Sequence, residues 1–135
     1  MGQLAQAELE LEITNMKKNI LGLREYQKLV RNTAKNDFKK REDEIANWGL
    51  GVAGEAGDLA GCIKKTIYHG NDQVVGIREN VGDTMWYLAM ICNFYGWDFE
   101  EILLENITKL RKRYSKGFTE NEASRKGTRI DWNEK

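Results

Sequence analysis

Two stretches of the sequence, residues 44–69 and 74–95, repeat their apolar side chains with the period of an α-helix. At about 100° per residue, the apolar side chains of each stretch fall on one face and the acidic ones on the opposite face. This pattern predicts two long amphipathic helices. The predicted core faces comprise Val52, Ala56, Leu59, Ala60, Ile63 and Ile67 in the first helix, and Val74, Ile77, Val81, Met85, Leu88 and Cys92 in the second.

The rest of the chain also favours helices. The 135 residues include no proline, which suits a helical chain with few forced breaks. Residues 24–36 and 99–115 predict further helices, and Gly96 is expected to end the helix before the second of them. Residues 8–13 alternate apolar and acidic side chains, which predicts either a short strand or an extension of the helix predicted at 24–36. We therefore predict an all-α fold, a helical bundle of four to five helices.

The overall charge and hydropathy exclude several kinds of partner. The 21 basic residues balance 21 acidic ones, which argues against binding to nucleic acid or a membrane surface through bulk charge. The longest apolar run, Met85 to Cys92, is far shorter than the ~20 residues that span a bilayer. No secretory signal is visible, and both cysteines are expected to be small, buried, reduced thiols. We expect a cytoplasmic protein with no membrane or nucleic-acid partner.

The residue types also restrict the metals that the chain can hold. Two cysteines and one histidine cannot build a zinc site without carboxylates, and no Glu-x-x-His pair for a di-iron bundle exists. A bound metal would need oxygen ligands, which points to Mg²⁺ or Mn²⁺.

Carboxylates on the two long helices are candidate ligands for such an ion. Glu55 and Asp58 are three residues apart on the first helix, and Asp83 is flanked by Glu79 and Asn80 on the face of the second. Side chains at this spacing lie ~5–6 Å apart, close enough to share a cation. Antiparallel packing of the helices would bring both sets together. The alternative is that each set simply faces water.

Five glycines fall within the first long helix, although each costs about 1 kcal/mol relative to alanine in a helix interior. They predict either a close approach of another backbone or a ligand, or tight packing between helices. The glycines are Gly49, Gly51, Gly54, Gly57 and Gly61.

Together these motifs resemble the MazG-like all-α nucleoside triphosphate pyrophosphohydrolases. The resemblance covers a domain at 23–118, with an N-terminal extension at 1–22 and a polar C-terminal tail at 119–135. The resemblance rests on the order and spacing of the motifs. They are Tyr26-Gln27 with Thr33 downstream, Asn47 eight residues before Glu55, LGVAGEAGDLAGCIKK at 50–65, His69-Gly70, VGDTMWYLA at 81–89, NITKLRKRY at 106–114, and Gly117-Phe118.

The resemblance implies an Mg²⁺ site and a reaction. The family's first acidic pair corresponds to Glu55 and Asp58, and its second to Asn80 and Asp83. Asn80 departs from the family's usual glutamate, and the neighbouring Glu79 could replace it. The implied reaction is attack of water between the α and β phosphates of a nucleoside triphosphate, which releases the monophosphate and pyrophosphate. Glu55 is the residue expected to orient or deprotonate that water.

Several further residues are candidates for substrate binding. Lys65 could reach the outer phosphates or simply extend into solvent. Lys109 and Arg113 match the family's basic signature, Asn106 shares their stripe, and Tyr114 flanks it. Asn47 and Trp48 could line the pocket for the base. For Trp86, Tyr87 and Phe94, base stacking, a subunit interface and a core position all stay open.

These observations are compatible with three functions. The first is Mg²⁺-dependent hydrolysis of surplus or unwanted (d)NTPs by a homodimer or a dimer of dimers. The second, motivated by Asn80, is a nucleotide-binding or regulatory helical module with weak catalysis. A third is a purely structural helical interaction protein.

Overall fold

The structure of the chain is a computed structural model that describes residues 2–18 and 21–124. Every regular element in this part of the chain is helical, so the all-α prediction is confirmed. Residues 1, 19, 20 and 125–135, from the predicted extension and tail, lie outside the described residues. The helices are α1 (Gly2–Lys18), α2 (Leu23–Leu29), α3 (Arg41–Tyr68), α4 (Val74–Tyr95), α5 (Phe99–Arg113) and the one-turn α6 (Glu120–Ala123), and a 3-10 turn (Val30–Thr33) follows α2.

Helices α3 and α4 form an antiparallel hairpin. Near one end of their contact, the backbone of Gly51 lies against the ring of Tyr87. Near the other end, the amide nitrogen of Asn80 is 3.7 Å from the sulfur of Cys62. The connection is tied down by the backbone N–H of Gln73, which donates to a threonine hydroxyl of α3 at 2.9 Å. The hairpin therefore provides the antiparallel arrangement that the two acidic sets need in order to share one level.

Among the glycines of α3, Gly51 has a clear packing reason. A Cβ atom added there would overlap the ring of Tyr87. Added at Gly49, Gly54, Gly57 or Gly61, it would meet nothing within 4 Å. Tight helix packing thus explains one of the five glycines within this chain, and nothing in the structure explains the other four.

Replacing Gly51 by alanine is expected to lower the free energy of unfolding by about 1–3 kcal/mol, as overpacking typically does. The Tyr87 ring cannot move aside freely, because it packs edge-to-face on Trp86 with ring centroids 5.0 Å apart. Gly57→Ala is the matched control, expected to raise stability by up to about 1 kcal/mol because its site is open. Denaturant unfolding measures both variants. A Gly51→Ala protein as stable as the Gly57→Ala protein would contradict the packing explanation.

Helix α2 is fastened to the end of α4 through Gln27. Its side-chain nitrogen donates to the carbonyl oxygen of Trp97 at 2.7 Å, and its side-chain oxygen accepts from the backbone N–H of Phe99 at 2.9 Å. The amide nitrogen of Asn93 donates to the backbone oxygen of Gln27 at 3.0 Å. Gly96, in the left-handed conformation with φ 71°, ends α4 as predicted and lets the chain turn into this network. The network holds α2 on the hairpin.

The predicted core faces of α3 and α4 are only partly buried. Val52, Leu59 and Ile77 are half-buried. Six predicted core residues are exposed instead. They are Ala56 and Ala60, together with four larger side chains whose relative exposures are 40–64 %: Ile63, Ile67, Val74 and Val81. For the single chain this part of the prediction is wrong. The reason is that α3 meets α4 through a face that includes Gly51 and Cys62, which periodicity placed on the polar side, so the apolar stripe turns away from α4.

The described chain divides into two compact units, one ending at Phe99 and the other beginning at Glu100. The first contains the hairpin, and the second contains most of α5.

Both cysteines are free, and burial raises the pKa of the Cys92 thiol, with the nearby Asp98 carboxylate adding to the shift. No helix within the described residues combines the length and apolar character needed to cross a bilayer.

Candidate functional site

The candidate acidic residues occupy one level of the α3–α4 hairpin. On α3, Glu55 and Asp58 lie between the contact at Gly51 and the contact at Cys62. On α4, Asp83 lies within the same stretch. Glu55 is half-buried, whereas both aspartates are exposed. The hairpin thus places the three acidic residues at one level of the two helices, and Glu55 is the least exposed of them.

Asn80 and Glu79 differ in how they face α3. Asn80 is half-buried, and its side-chain nitrogen donates to the backbone oxygen of Gly76 at 2.9 Å and contacts the Cys62 sulfur across the helix pair. With its nitrogen held in this way, the amide oxygen of Asn80 is its remaining polar atom. Glu79 is exposed. Asn80 is therefore the one of the two that contacts α3.

The donor set suits a hard divalent cation in its chemistry. Glu55, Asp58 and Asp83 supply carboxylate oxygens, and Asn80 supplies an amide oxygen, which are the ligand types preferred by Mg²⁺ and Mn²⁺. Within the described residues, no three His, Cys, Asp or Glu side chains are gathered closely enough to hold a metal ion. Like-charged carboxylates repel one another at short range. Cation binding would require these side chains to turn towards one another.

Tyr26, on α2, borders this acidic site. Burial raises the pKa of its hydroxyl, and the negative charge of Asp83 raises it further. The sequence pattern marks Tyr26 as a family motif but does not place it at the site. Only the packing of α2 on the hairpin brings the phenol near Asp83.

The aromatic residues beside the acidic site form a packed cluster. Trp48 is only 2 % exposed and lies edge-to-face with Phe38 and Trp86, at ring-centroid distances of 5.4 and 5.6 Å. Its indole N–H donates to Glu44 at 3.4 Å. Trp48, a sequence candidate for the base pocket, is thus buried and supports Glu44. The indole N–H of Trp86 donates to the hydroxyl of Thr33 at 3.0 Å, which links the cluster to the 3-10 turn.

The other predicted substrate contacts are accessible. Asn47 and Lys65 are exposed on α3. In the unit that begins at Glu100, Asn106 is exposed, while three residues are half-buried: Lys109, Arg113 and Tyr114. The Arg113 guanidinium lies 5.9 Å from the centroid of the Tyr114 ring, so the last residue of α5 and the residue after it lie side by side.

A cleft of about 310 Å³ opens between the segment after α2 and the hairpin. Of its lining residues, only Phe94 is prominent in the sequence pattern. The others come from four separate segments, and no single motif connects them. The lining residues are Arg31, Ala34, Lys35, Asn36, Phe38, Glu44, Met90, Asn93 and Phe94.

Comparison with known proteins identifies a family that the chain matches. The family model described as the MazG nucleotide pyrophosphohydrolase domain matches residues 44–118, which include every candidate acidic residue on the hairpin. The chain is similar to the "Gene 37 protein" of Mycobacterium phage L5, with 31% identity over 74 residues. That match covers 50% of this chain and 64% of the phage protein, less than two thirds of its length. No solved structure matches the chain.

Proposed function

The chain belongs to the MazG nucleotide pyrophosphohydrolase family, and on that premise we propose that it hydrolyses nucleoside triphosphates to monophosphates and pyrophosphate. The reaction would be Mg²⁺-dependent, with Mn²⁺ as the alternative cation, and would remove surplus or unwanted (d)NTPs from the cytoplasm. The observation that supports this proposal best is the placement of Glu55, Asp58 and Asp83 at one level of an antiparallel helix pair. Carboxylates on neighbouring helices are a means of holding a cation against a polyphosphate.

The proposed roles follow from the position of each side chain. Glu55, Asp58, Asp83 and Asn80 would hold the cation, and Asn80 is preferred to Glu79 because it contacts α3. A bound Mg²⁺ ion would neutralise the polyphosphate and lower the pKa of the attacking water. Glu55, half-buried among these residues, would orient that water and accept its proton.

Basic residues would contact the phosphates. Lys65 lies seven residues beyond Asp58, about 10 Å along the helix and on nearly the same face. Lys109 and Arg113, in the unit that begins at Glu100, are proposed as phosphate-binding residues, since a guanidinium suits forked hydrogen bonds to phosphate oxygens. We propose that Asn106 and Tyr114 bind substrate together with Lys109 and Arg113. The exposed Asn47 would bind it together with Lys65 on α3.

A substrate panel tests the proposed function. The protein is incubated with NTPs and dNTPs in Mg²⁺ or in EDTA, and pyrophosphate and orthophosphate are measured separately. We expect pyrophosphate release that stops in EDTA. Release of orthophosphate alone, or turnover that EDTA does not affect, would overturn the proposal.

Asn80 favours a second candidate, a nucleotide-binding module with weak catalysis. An amide oxygen adds no negative charge to the site, so the bound cation would be less well neutralised. Turnover by Asn80→Glu distinguishes the candidates. A large gain from a near-zero parent rate supports the weak module, and a parent that already turns over rapidly supports the hydrolase.

We also propose that a second copy of the chain covers the exposed apolar residues of the hairpin. In the described part of the chain only six hydrophobic side chains are buried, while Ile63, Ile67, Val74 and Val81 stay exposed. Association would bury additional apolar surface.

Light scattering at micromolar concentration is expected to give a dimeric or tetrameric mass. Ile67→Lys is expected to shift this mass towards the monomer, since charge is depleted at the centres of interfaces. Val75→Lys is the control, because Val75 is 72 % exposed but lies off this stripe. A monomeric parent, or equal masses for both variants, would contradict the proposed interface.

A further inference from the structure

We propose that the cleft bordered by Arg31, Glu44 and Phe94 is the subsite for the nucleobase, and that it selects bases with an exocyclic amino group over uracil and thymine. This inference rests on the proposed function, since it assigns the base of the same nucleotide substrate. It concerns residues outside the acidic pairs and the basic signature.

The cleft lies on the same face of the hairpin as the acidic residues. On α4, Met90 and Phe94 follow Asp83 by seven and eleven residues, which places them within about 20° of it around the helix. On α3, Glu44 precedes Glu55 by eleven residues and is also about 20° from it. The axial separation is about 10–16 Å, the scale of an extended nucleoside triphosphate. Phosphates at Asp83 and a base in the cleft are therefore compatible.

The size and the apolar lining of the cleft suit one ring system. Its volume of about 310 Å³ is at the lower limit for small-molecule sites, too small for a whole triphosphate but adequate for a base. Phe38, Met90 and Phe94 contribute apolar atoms to the lining, and the Arg41 guanidinium covers one face of the Phe94 ring at 4.0 Å from its centroid. The ribose and phosphates would then extend along the hairpin towards Asp83.

Glu44 supplies the selectivity. The indole N–H of the buried Trp48 donates to one of its carboxylate oxygens at 3.4 Å, so the side chain is supported from within the core. An ionised carboxylate only accepts hydrogen bonds, so it requires a donor on the base. Cytosine, adenine and guanine offer an exocyclic amino group. Uracil and thymine offer one ring N–H between two carbonyl oxygens, which the carboxylate would repel.

Arg31 is a second charged residue that lines the cleft, and it complements Glu44 because it donates hydrogen bonds. One guanidinium nitrogen donates to the side-chain oxygen of Asn93 at 3.0 Å, and the nitrogen of Asn93 is in turn held by the backbone oxygen of Gln27. Arg31 is thus oriented by a hydrogen bond and keeps other N–H groups for a ligand. These donors match the ring nitrogen and carbonyl acceptors that adjoin the amino group of cytosine.

Equilibrium binding tests this subsite without depending on catalysis. The probes are the α,β-imido analogues of dCTP and dUTP, which have the same ring size, titrated into the full chain with Mg²⁺. We expect the parent to bind the cytosine analogue at least about tenfold more tightly, in line with the discrimination of a good side-chain contact to a base edge. Glu44→Gln, whose amide can also donate, is expected to abolish that preference. Glu42→Gln, an exposed glutamate in the first turn of the same helix, should preserve it.

Pyrophosphate release from unmodified dCTP and dUTP is measured in parallel, so that each outcome tests either the base subsite or the proposed function. Selective binding that Glu44→Gln removes, without any hydrolysis, supports the base subsite and overturns the proposed function. Hydrolysis without selectivity, or selectivity that survives Glu44→Gln, overturns the base subsite and leaves the proposed function standing. Failure of both analogues to bind overturns the base subsite.

Discussion

Replacing Glu55 by glutamine is expected to lower the rate of pyrophosphate release by at least about 100-fold, the usual scale for removing a general base. The amide has nearly the same shape as the carboxylate but carries no charge and cannot accept a proton from water. Glu55 is also one of the proposed cation ligands, so the variant loses affinity for Mg²⁺ as well. The loss of the proton acceptor and the weaker binding of Mg²⁺ both lower the rate of pyrophosphate release.

The measurement separates these effects from misfolding. Steady-state pyrophosphate release is compared for the parent, Glu55→Gln and the exposed-site control Glu42→Gln, with the melting temperature of each. Because a ligand that binds the native state raises its stability, Mg²⁺ with nucleotide should raise the melting temperature of the parent and the control more than that of Glu55→Gln. A Glu55→Gln rate equal to that of the control would remove Glu55 from the proposed mechanism.

Trp48→Ala is expected to cost about 3–5 kcal/mol of stability, the range for truncating a large buried aromatic side chain. The indole is 2 % exposed, and it touches three other aromatic rings from the loop before α3 and from α4. Truncation would leave a cavity at the point where these segments meet. It would also remove the N–H donor of Glu44. For a domain of this size the melting temperature should fall by at least about 10 °C.

Trp97→Ala is the matched control for this prediction. Trp97 is 51 % exposed and stacks on Tyr95, and its hydrogen bond to Gln27 uses the backbone oxygen, which alanine keeps. Its truncation is expected to cost about 1 kcal/mol or less. Thermal unfolding of both variants measures the two stability costs. If Trp48→Ala melts with the parent and loses only nucleotide affinity, Trp48 binds substrate directly and is not a core residue.

The helices could be predicted because their signals are local. The bounds of α4, residues 74–95, agree with the predicted ones, since its apolar period is regular and Gly96 provides the left-handed residue that ends it. The bounds of α3 and α5 differ by one to three residues, which is normal for helix ends. Residues 8–13 alternate like a strand but lie within α1, because so short a pattern does not outweigh helix-forming neighbours.

The face by which α3 packs could not be predicted from periodicity. Hydrophobic spacing favoured the stripe that carries Ile63 and Ile67, yet contact with α4 is made through Gly51 and Cys62. The missing side chain at Gly51 lets a tyrosine ring approach the α3 backbone, and this steric fit outweighs the apolar stripe. Such a fit depends on two residues 36 positions apart, which a local pattern cannot reveal.

The sequence by itself determined the helical class, the positions of the two long helices, the spacing of Glu55, Asp58 and Asp83, and the family resemblance. All of these depend on residues within a few turns of one another or on motifs read in order. The tertiary structure decided which acidic residues of the two helices share one level, the burial of Trp48, the approach of Tyr26 to Asp83, and the cleft beside Glu44. Those features arise from close packing between distant segments, where the volume and shape of individual side chains determine which surfaces fit.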